Sequence, residues 1–166
     1  PLVFVSVGTD FHPFDRLCRW VDAWLADGGD QIARCFVQTG TSTPPTRAEH
    51  GQYLGHEQME AMMREAAVVV CHGGPGTIML AATMGKRPIV VPRRLHLGEA
   101  VDDHQLPIAR RLDANGVVTL LEDTDRLGEA IELVGANAAA PPFPGDSGPQ
   151  NLAGDLRAYL QGLVAA

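Results

Sequence analysis

The run His72-Gly73-Gly74-Pro75-Gly76-Thr77 has the residue types to hold an anion. Glycines let the backbone approach a ligand closely, and helical spacing from Thr77 onward would bring the free amides of a first helical turn beside it. A phosphate would sit there, with Thr77 adding a hydroxyl. A plain strand-to-helix turn with incidental glycines is the simpler alternative. The run is not a dinucleotide fingerprint, because Gly73, Gly74 and Gly76 lack GxGxxG spacing and do not follow the first strand. Nor is it a Walker A loop, since no GK[ST] occurs and Lys86 is far from the glycines. His72 could touch a bound ligand from the strand end, or be a satisfied structural histidine.

Gly8-Thr9 repeats the glycine and hydroxyl pairing earlier in the chain, and His12, beside Asp10, is the best lone candidate for an acid or base. Glu99, Asp102, Asp103, His104 and Gln105 form the densest polar cluster. Their carboxylates and carboxamide can pair with sugar hydroxyls and so reject ligands that lack them. Alternatively, Asp102 and Asp103 only favour the dipole of a helix start. Adjacent side chains rarely converge on one ion, so no metal is expected. Arg93 and Arg94 could offset phosphate charge. No Ser-His-Asp or Cys-His arrangement exists: Cys71 precedes His72 but ends a buried strand.

Positioning these groups requires strands that end where they begin. Val68 to Cys71 is continuously apolar and β-branched, as in a strand buried on both faces, and Leu2 to Val7 reads the same way. Phe14, Leu17, Cys18, Val21, Trp24 and Leu25 give a helical stripe, with Asp15, Arg16, Arg19 and Asp22 outward and Gly28-Gly29 as its stop. Further strands are expected at Ile32–Gln38, Gln52–Leu54, Ile89–Val91 and Val117–Leu121. Helices are expected at Glu57–Ala66, Thr77–Met84, Val101–Leu112 and Thr124–Val134, with Met59, Met62 and Met63 as core filling. Alternating strands and helices predict an α/β fold, a Rossmann-like, mostly parallel sheet covered on both faces. Ligands bind such sheets at the carboxyl ends of the strands. Both glycine turns and the loop after Val91 meet there.

One Rossmann-like domain over residues 1–135, a Gly/Ala/Pro-rich linker over 136–150 and a closing helix over 151–166 packed on the same domain account for the 166 residues. The net charge of −7 argues against nucleic-acid binding. Between Met84 and Arg111 six basic residues outnumber three acids. Such a zone suits a phosphorylated small molecule, or is chance clustering on a solvated face. Cys18, Cys35 and Cys71 lack CxxC spacing and read as small core residues of a reduced compartment. No apolar run approaches the ~20 residues of a membrane helix. A soluble, cytoplasmic chain is expected, reaching the inner face of a membrane only through a partner.

Four motifs resemble a known family: VSVGTDFHPFDRL (Val5–Leu17), CHGGPGTI (Cys71–Ile78), GKRPIVVPR (Gly85–Arg93) and GEAVDDHQLPIARRL (Gly98–Leu112). In order and spacing the chain is similar to the glycosyltransferase family 28 carboxyl-terminal domain, the donor-binding lobe of MurG-like, two-lobed GT-B enzymes. It looks closest to the short catalytic subunits of two-component transferases: the dolichol-linked N-acetylglucosamine type and bacterial exopolysaccharide relatives. The resemblance implies that amides around Gly73, Gly74, Gly76 and Thr77, helped by Gly8, Thr9 and His72, hold a donor diphosphate. Ile89 to Arg93, including Val91, would approach the base. Asp103, His104 and Gln105 would face the sugar, with Glu99 in the same loop. Many relatives place a ribose-binding acid five residues before the glycine matching Gly85; here that residue is Leu80.

The resemblance implies an inverting, UDP-sugar-dependent hexosyltransferase acting on a lipid-linked saccharide, without a cofactor or a metal. Its acceptor site would come from a membrane-anchored subunit or a fused amino-terminal lobe. A nucleotide-sugar epimerase and a non-catalytic binding or assembly subunit are the alternatives.

Overall fold

The computed structural model describes residues 1–122 and 126–137 of the chain. The expected linker and closing helix lie outside these residues, except that Ala136 closes a helix. Six parallel strands form one sheet: β1 (Leu2–Ser6), β2 (Arg34–Gln38), β3 (Glu49–Gly51), β4 (Val68–Cys71), β5 (Ile89–Val90) and β6 (Thr119–Leu120). Their order is β3-β2-β1-β4-β5-β6. The two strands that read as buried on both faces, β1 and β4, lie side by side at the centre with every residue buried.

Alternation along those strands assigns the layers. Val3, Val5, Val68 and Val70 point to one face, against Phe14, Leu17 and Val21 on or beside helix α1 (Asp15–Trp24), and Leu127 and Ile131 on α6 (Leu127–Ala136). Leu2, Phe4 and Val69 point to the other, against Met63 of α3 (His56–Glu65) and Ala81 of α4 (Pro75–Thr83). Cys71 and Val90 meet Ile78 of α4, and Ala109 and Leu112 of α5 (Gln105–Ala114). Helices cover both faces, as the sequence predicts. Met59 and Met62 join Met63 at the buried face of α3.

Differences fall where the apolar signal is short. At Gly28, whose φ is +98°, the chain swings out of α1 through a π turn and makes one more helical turn, α2 (Asp30–Ile32). Ile32 is therefore half exposed, not part of β2. β3 precedes the expected Gln52–Leu54 because it is a polar edge strand of the kind that periodicity does not reveal. α5 starts at Gln105 instead of Val101, so Asp102 and Asp103 sit in the bends before it. Arg16, expected to face out, is turned inward.

Candidate functional site: a cleft at the centre of the sheet edge

Strand order reverses between β1 and β4, so their following segments leave toward opposite faces and open a crevice at the carboxyl edge. A cleft of about 470 Å3 occupies this place, lined by Gly8, Thr9 and Asp10 after β1, by His72 and Gly74 to Thr77 after β4, and by Gln105. The two glycine turns converge as expected.

Amide accounting shows what the cleft can bind. Gly74 caps α4 and Pro75 takes its first position, where a missing N–H costs nothing. The Gly74 amide donates to His72 Nδ1 at 3.1 Å, and the Gly73 amide to Gln105 Oε1 at 3.2 Å. Ile78 returns to the Gly74 carbonyl at 3.2 Å. Among the described residues nothing engages the amides of Gly76 and Thr77. Those two donors, at the positive end of the helix dipole, are available to an anion.

His72 is the wedge of this arrangement. Its imidazole lies against Gly8 and Gly74, where a Cβ at either position would run into the ring. Gly8 also has φ +86°, so both the space and the backbone require glycine. Because Nδ1 accepts from Gly74, the neutral ring carries its proton on Nε2, 3.4 Å from the Thr77 hydroxyl. Burial, with the Arg93 charge adding and Asp10 opposing, pushes the His72 pKa down from 6.5 to about 4. The unfolded chain therefore takes up a proton that the folded one refuses. Stability should be complete above the unfolded pKa and fall as pH drops from about 6.5 toward 4, by roughly 2–3 kcal/mol for this partly exposed ring. Urea midpoints of the wild type and His72→Asn, which keeps an acceptor for Gly74, check this: only the wild type should lose the excess. Parallel losses would place the acid sensitivity elsewhere.

Gln105 joins three loops, since its Oε1 accepts from the Gly73 and Arg93 amides at 3.2 and 3.0 Å. Its carboxamide nitrogen has no partner among the described residues. The other residues expected near the donor are placed differently. Arg93 is 1% exposed, and its guanidinium donates to the carbonyls of Val7, His12 and Glu99 at 2.5, 2.6 and 2.8 Å. Glu99 is also buried: Arg16 grips its two oxygens at 2.9 and 3.0 Å, and the Arg94 amide reaches Oε2 at 2.9 Å. These groups brace the rim from beneath, and Val91 lies in the core. Asp103, which receives the Leu95 amide at 3.1 Å, and the exposed His104 lie outside the cleft lining. Lys86 and Arg87 bond the carbonyls of Ala66 and Val118, while Arg94 and Arg110 approach Glu122. Five of the six basic residues of that zone are thus engaged within the fold, and Arg111 is exposed. The three cysteines are free and buried, and burial pushes their thiols up to about 12, so none is a nucleophile at neutral pH.

His12 has its ring Nδ1 2.6 Å from Asp10 Oδ1, and its amide donates to the same oxygen at 2.8 Å. Burial alone would raise the Asp10 carboxyl, but these bonds and the Arg93 charge hold it below the usual value. Asp10 lines the cleft and His12 does not. A buried network also escaped sequence reading. Gln38, 2% exposed, accepts from the Ser6 hydroxyl at 2.8 Å and donates to the carbonyls of Gly8 and Gln52 at 3.1 and 3.0 Å. A glutamine and a serine each ending an apolar strand were its only signal.

The UDP-N-acetylglucosamine–N-acetylmuramyl-(pentapeptide) pyrophosphoryl-undecaprenol N-acetylglucosamine transferase of Idiomarina loihiensis is 37% identical over 76 residues, covering 46% of this chain and 20% of the relative. The chain thus spans well under two thirds of that curated relative's length. MurG of Acinetobacter baumannii superposes with a TM-score of 0.57 at 20% identity, over 98% of this chain and 50% of that one. The solution structure of ALG13 gives 0.57 at 17% identity, over 90% and 92%. At these identities the two structures speak for the fold, that of a GT-B glycosyltransferase lobe. The family model described as "Glycosyltransferase family 28 C-terminal domain" matches residues 2–144, and the chain belongs to that family.

Proposed function

We propose that this chain holds a uridine diphosphate sugar in the cleft and passes the sugar, with inversion, to a lipid-linked saccharide. The observation that carries the reading is the pair of open amides, Gly76 and Thr77, at the start of α4 in the central cleft. Transfer forms a bond from the acceptor oxygen to the anomeric carbon and breaks the bond to the diphosphate. The departing diphosphate gains charge, and helix amides fixed beside it stabilise that charge without reorganising. The acceptor's proton needs a base. His12 is this chain's candidate, because its Nδ1–H donates to Asp10 and leaves Nε2 as the accepting nitrogen. The acceptor surface comes from a separate membrane-anchored subunit or a further lobe. The relatives' names, with a UDP-N-acetylglucosamine donor and an undecaprenol-linked acceptor, support the donor and acceptor classes.

Leu80 favours a second reading. It packs partly buried against the cluster of Phe4 and Met63, so no carboxylate meets a ribose from that position. A subunit that has ceased to bind donors would tolerate this. Calorimetric titration of the chain with uridine diphosphate, its N-acetylglucosamine and glucose conjugates, and guanosine and thymidine diphosphates decides between them. Saturable, uridine-selective binding is the expected result. A folded sample that binds none of these ligands would overturn the donor reading in favour of an assembly role.

A further inference from the structure

Among the described residues Asp10 is the one carboxylate that lines the cleft, and it shares that lining with the open amides of Gly76 and Thr77. Its two oxygens are not equivalent. Oδ1 receives both the amide and the ring nitrogen of His12, at 2.8 and 2.6 Å. Oδ2 has no hydrogen bond among the described residues, yet it is not sealed from solvent. The His12 contacts also favour the ionised carboxylate, so a negative charge stands in the same cleft as the open amides of Gly76 and Thr77.

Two anions side by side repel, and in a partly desolvated cleft the effect is larger than in water. A carboxylate here must therefore meet a hydrogen-bond donor, and the part of a nucleotide sugar that offers donors is the sugar. Its hydroxyls make charge-assisted bonds to a carboxylate that are roughly twice as strong as neutral ones. The product differs in the opposite sense. Loss of the sugar removes the hydroxyls and exposes a terminal phosphate, which carries close to one additional negative charge near neutral pH.

We infer that Asp10 reads the sugar of the donor: its free Oδ2 accepts a sugar hydroxyl in the bound conjugate and repels the bare nucleoside diphosphate left after transfer. One residue then favours substrate over product and speeds product release. The inference rests on the donor site proposed above and adds to it a specificity residue to which the resemblance gives no role.

The test is calorimetric titration of the whole chain, as wild type, Asp10→Asn and Asp10→Ser, with uridine diphosphate and with its N-acetylglucosamine conjugate. Asparagine keeps an oxygen for the His12 amide, and serine keeps a shorter acceptor, so at least one variant should retain the turn; a thermal melt of each shows whether it does. Relative to wild type, the variants should bind the bare diphosphate about 3- to 10-fold more tightly and the conjugate about 10-fold more weakly. Opposite signs are the diagnostic result, because a structural disturbance would weaken both ligands together. Affinities that move in the same direction by the same factor, or do not move, overturn the role of Asp10 while leaving the donor site intact. A wild-type chain that binds neither ligand overturns the site itself.

Discussion

Gly76→Ala should weaken nucleotide diphosphate binding by at least about 30-fold while leaving the chain as stable as wild type or more so. Stability is the easier half to argue. Gly76 lies in the first turn of α4, without a positive φ, and a Cβ built on it meets no heavy atom of the chain within 4 Å. Alanine also loses less backbone entropy than glycine on entering a helix, by up to about 1 kcal/mol. Nothing in the protein resists the methyl group.

A ligand would resist it. The space beside Gly76 belongs to the cleft, and phosphate oxygens must come within hydrogen-bond distance of the Gly76 and Thr77 amides to use them. A methyl there holds the oxygens off, and losing charge-assisted bonds to a dianion costs about 2 kcal/mol or more, at least 30-fold in affinity. Gly8→Ala and Gly74→Ala make the contrast, because their methyl groups would strike the His72 ring and should lower the melting temperature. Calorimetry and a thermal melt on each variant check the set. Gly76→Ala binding uridine diphosphate like wild type would remove the α4 terminus from the donor site.

Much of this was legible in the residues. β1 and β4 were legible because strands buried on both faces carry unbroken apolar runs. Gly8 and Gly74 were legible as places where something approaches the backbone closely, but that the His72 ring is what lies against them was not. What misled was treating charged residues of a loop as facing the ligand. Arg93 and Glu99 have the right types for phosphate and sugar, yet their side chains turn inward to satisfy buried carbonyls and Arg16. Polar type does not encode direction, and a long side chain in a loop can reach either way. Gln38 was missed for the complementary reason: its partners, Ser6, Gly8 and Gln52, become neighbours only once β1, β2 and β3 are paired.

Arg93→Met should be the most destabilising single substitution at the rim, because it isolates what that inward turn contributes. Methionine keeps most of the volume, so the cavity contribution is small. What disappears is the set of donors to the carbonyls of Val7, His12 and Glu99, and the guanidinium that stands 5.0 Å from the Phe14 ring centroid. Two effects oppose each other. Removing a buried cation relieves its desolvation, which alone can make such replacements neutral. Against that, three carbonyls lose their donors at once, each worth about 1–3 kcal/mol when left buried and unpaired. The carbonyls win, since those of Val7 and His12 cannot turn to water without opening the loop after β1, nor that of Glu99 without opening the loop after β5. A loss of about 3–5 kcal/mol is expected, read as a melting temperature lower by roughly 10 °C. Nucleotide affinity should fall with it, because the same loop carries Thr9 and Asp10 into the cleft. Arg34→Ala is the control: its ion pairs to Glu49 and Glu65 are long, at 3.8 and 3.7 Å, and 63% exposed, so the change should stay within about 0.5 kcal/mol. If Arg93→Met melts with Arg34→Ala, the rim is held by apolar packing, and the three short bonds are incidental to it.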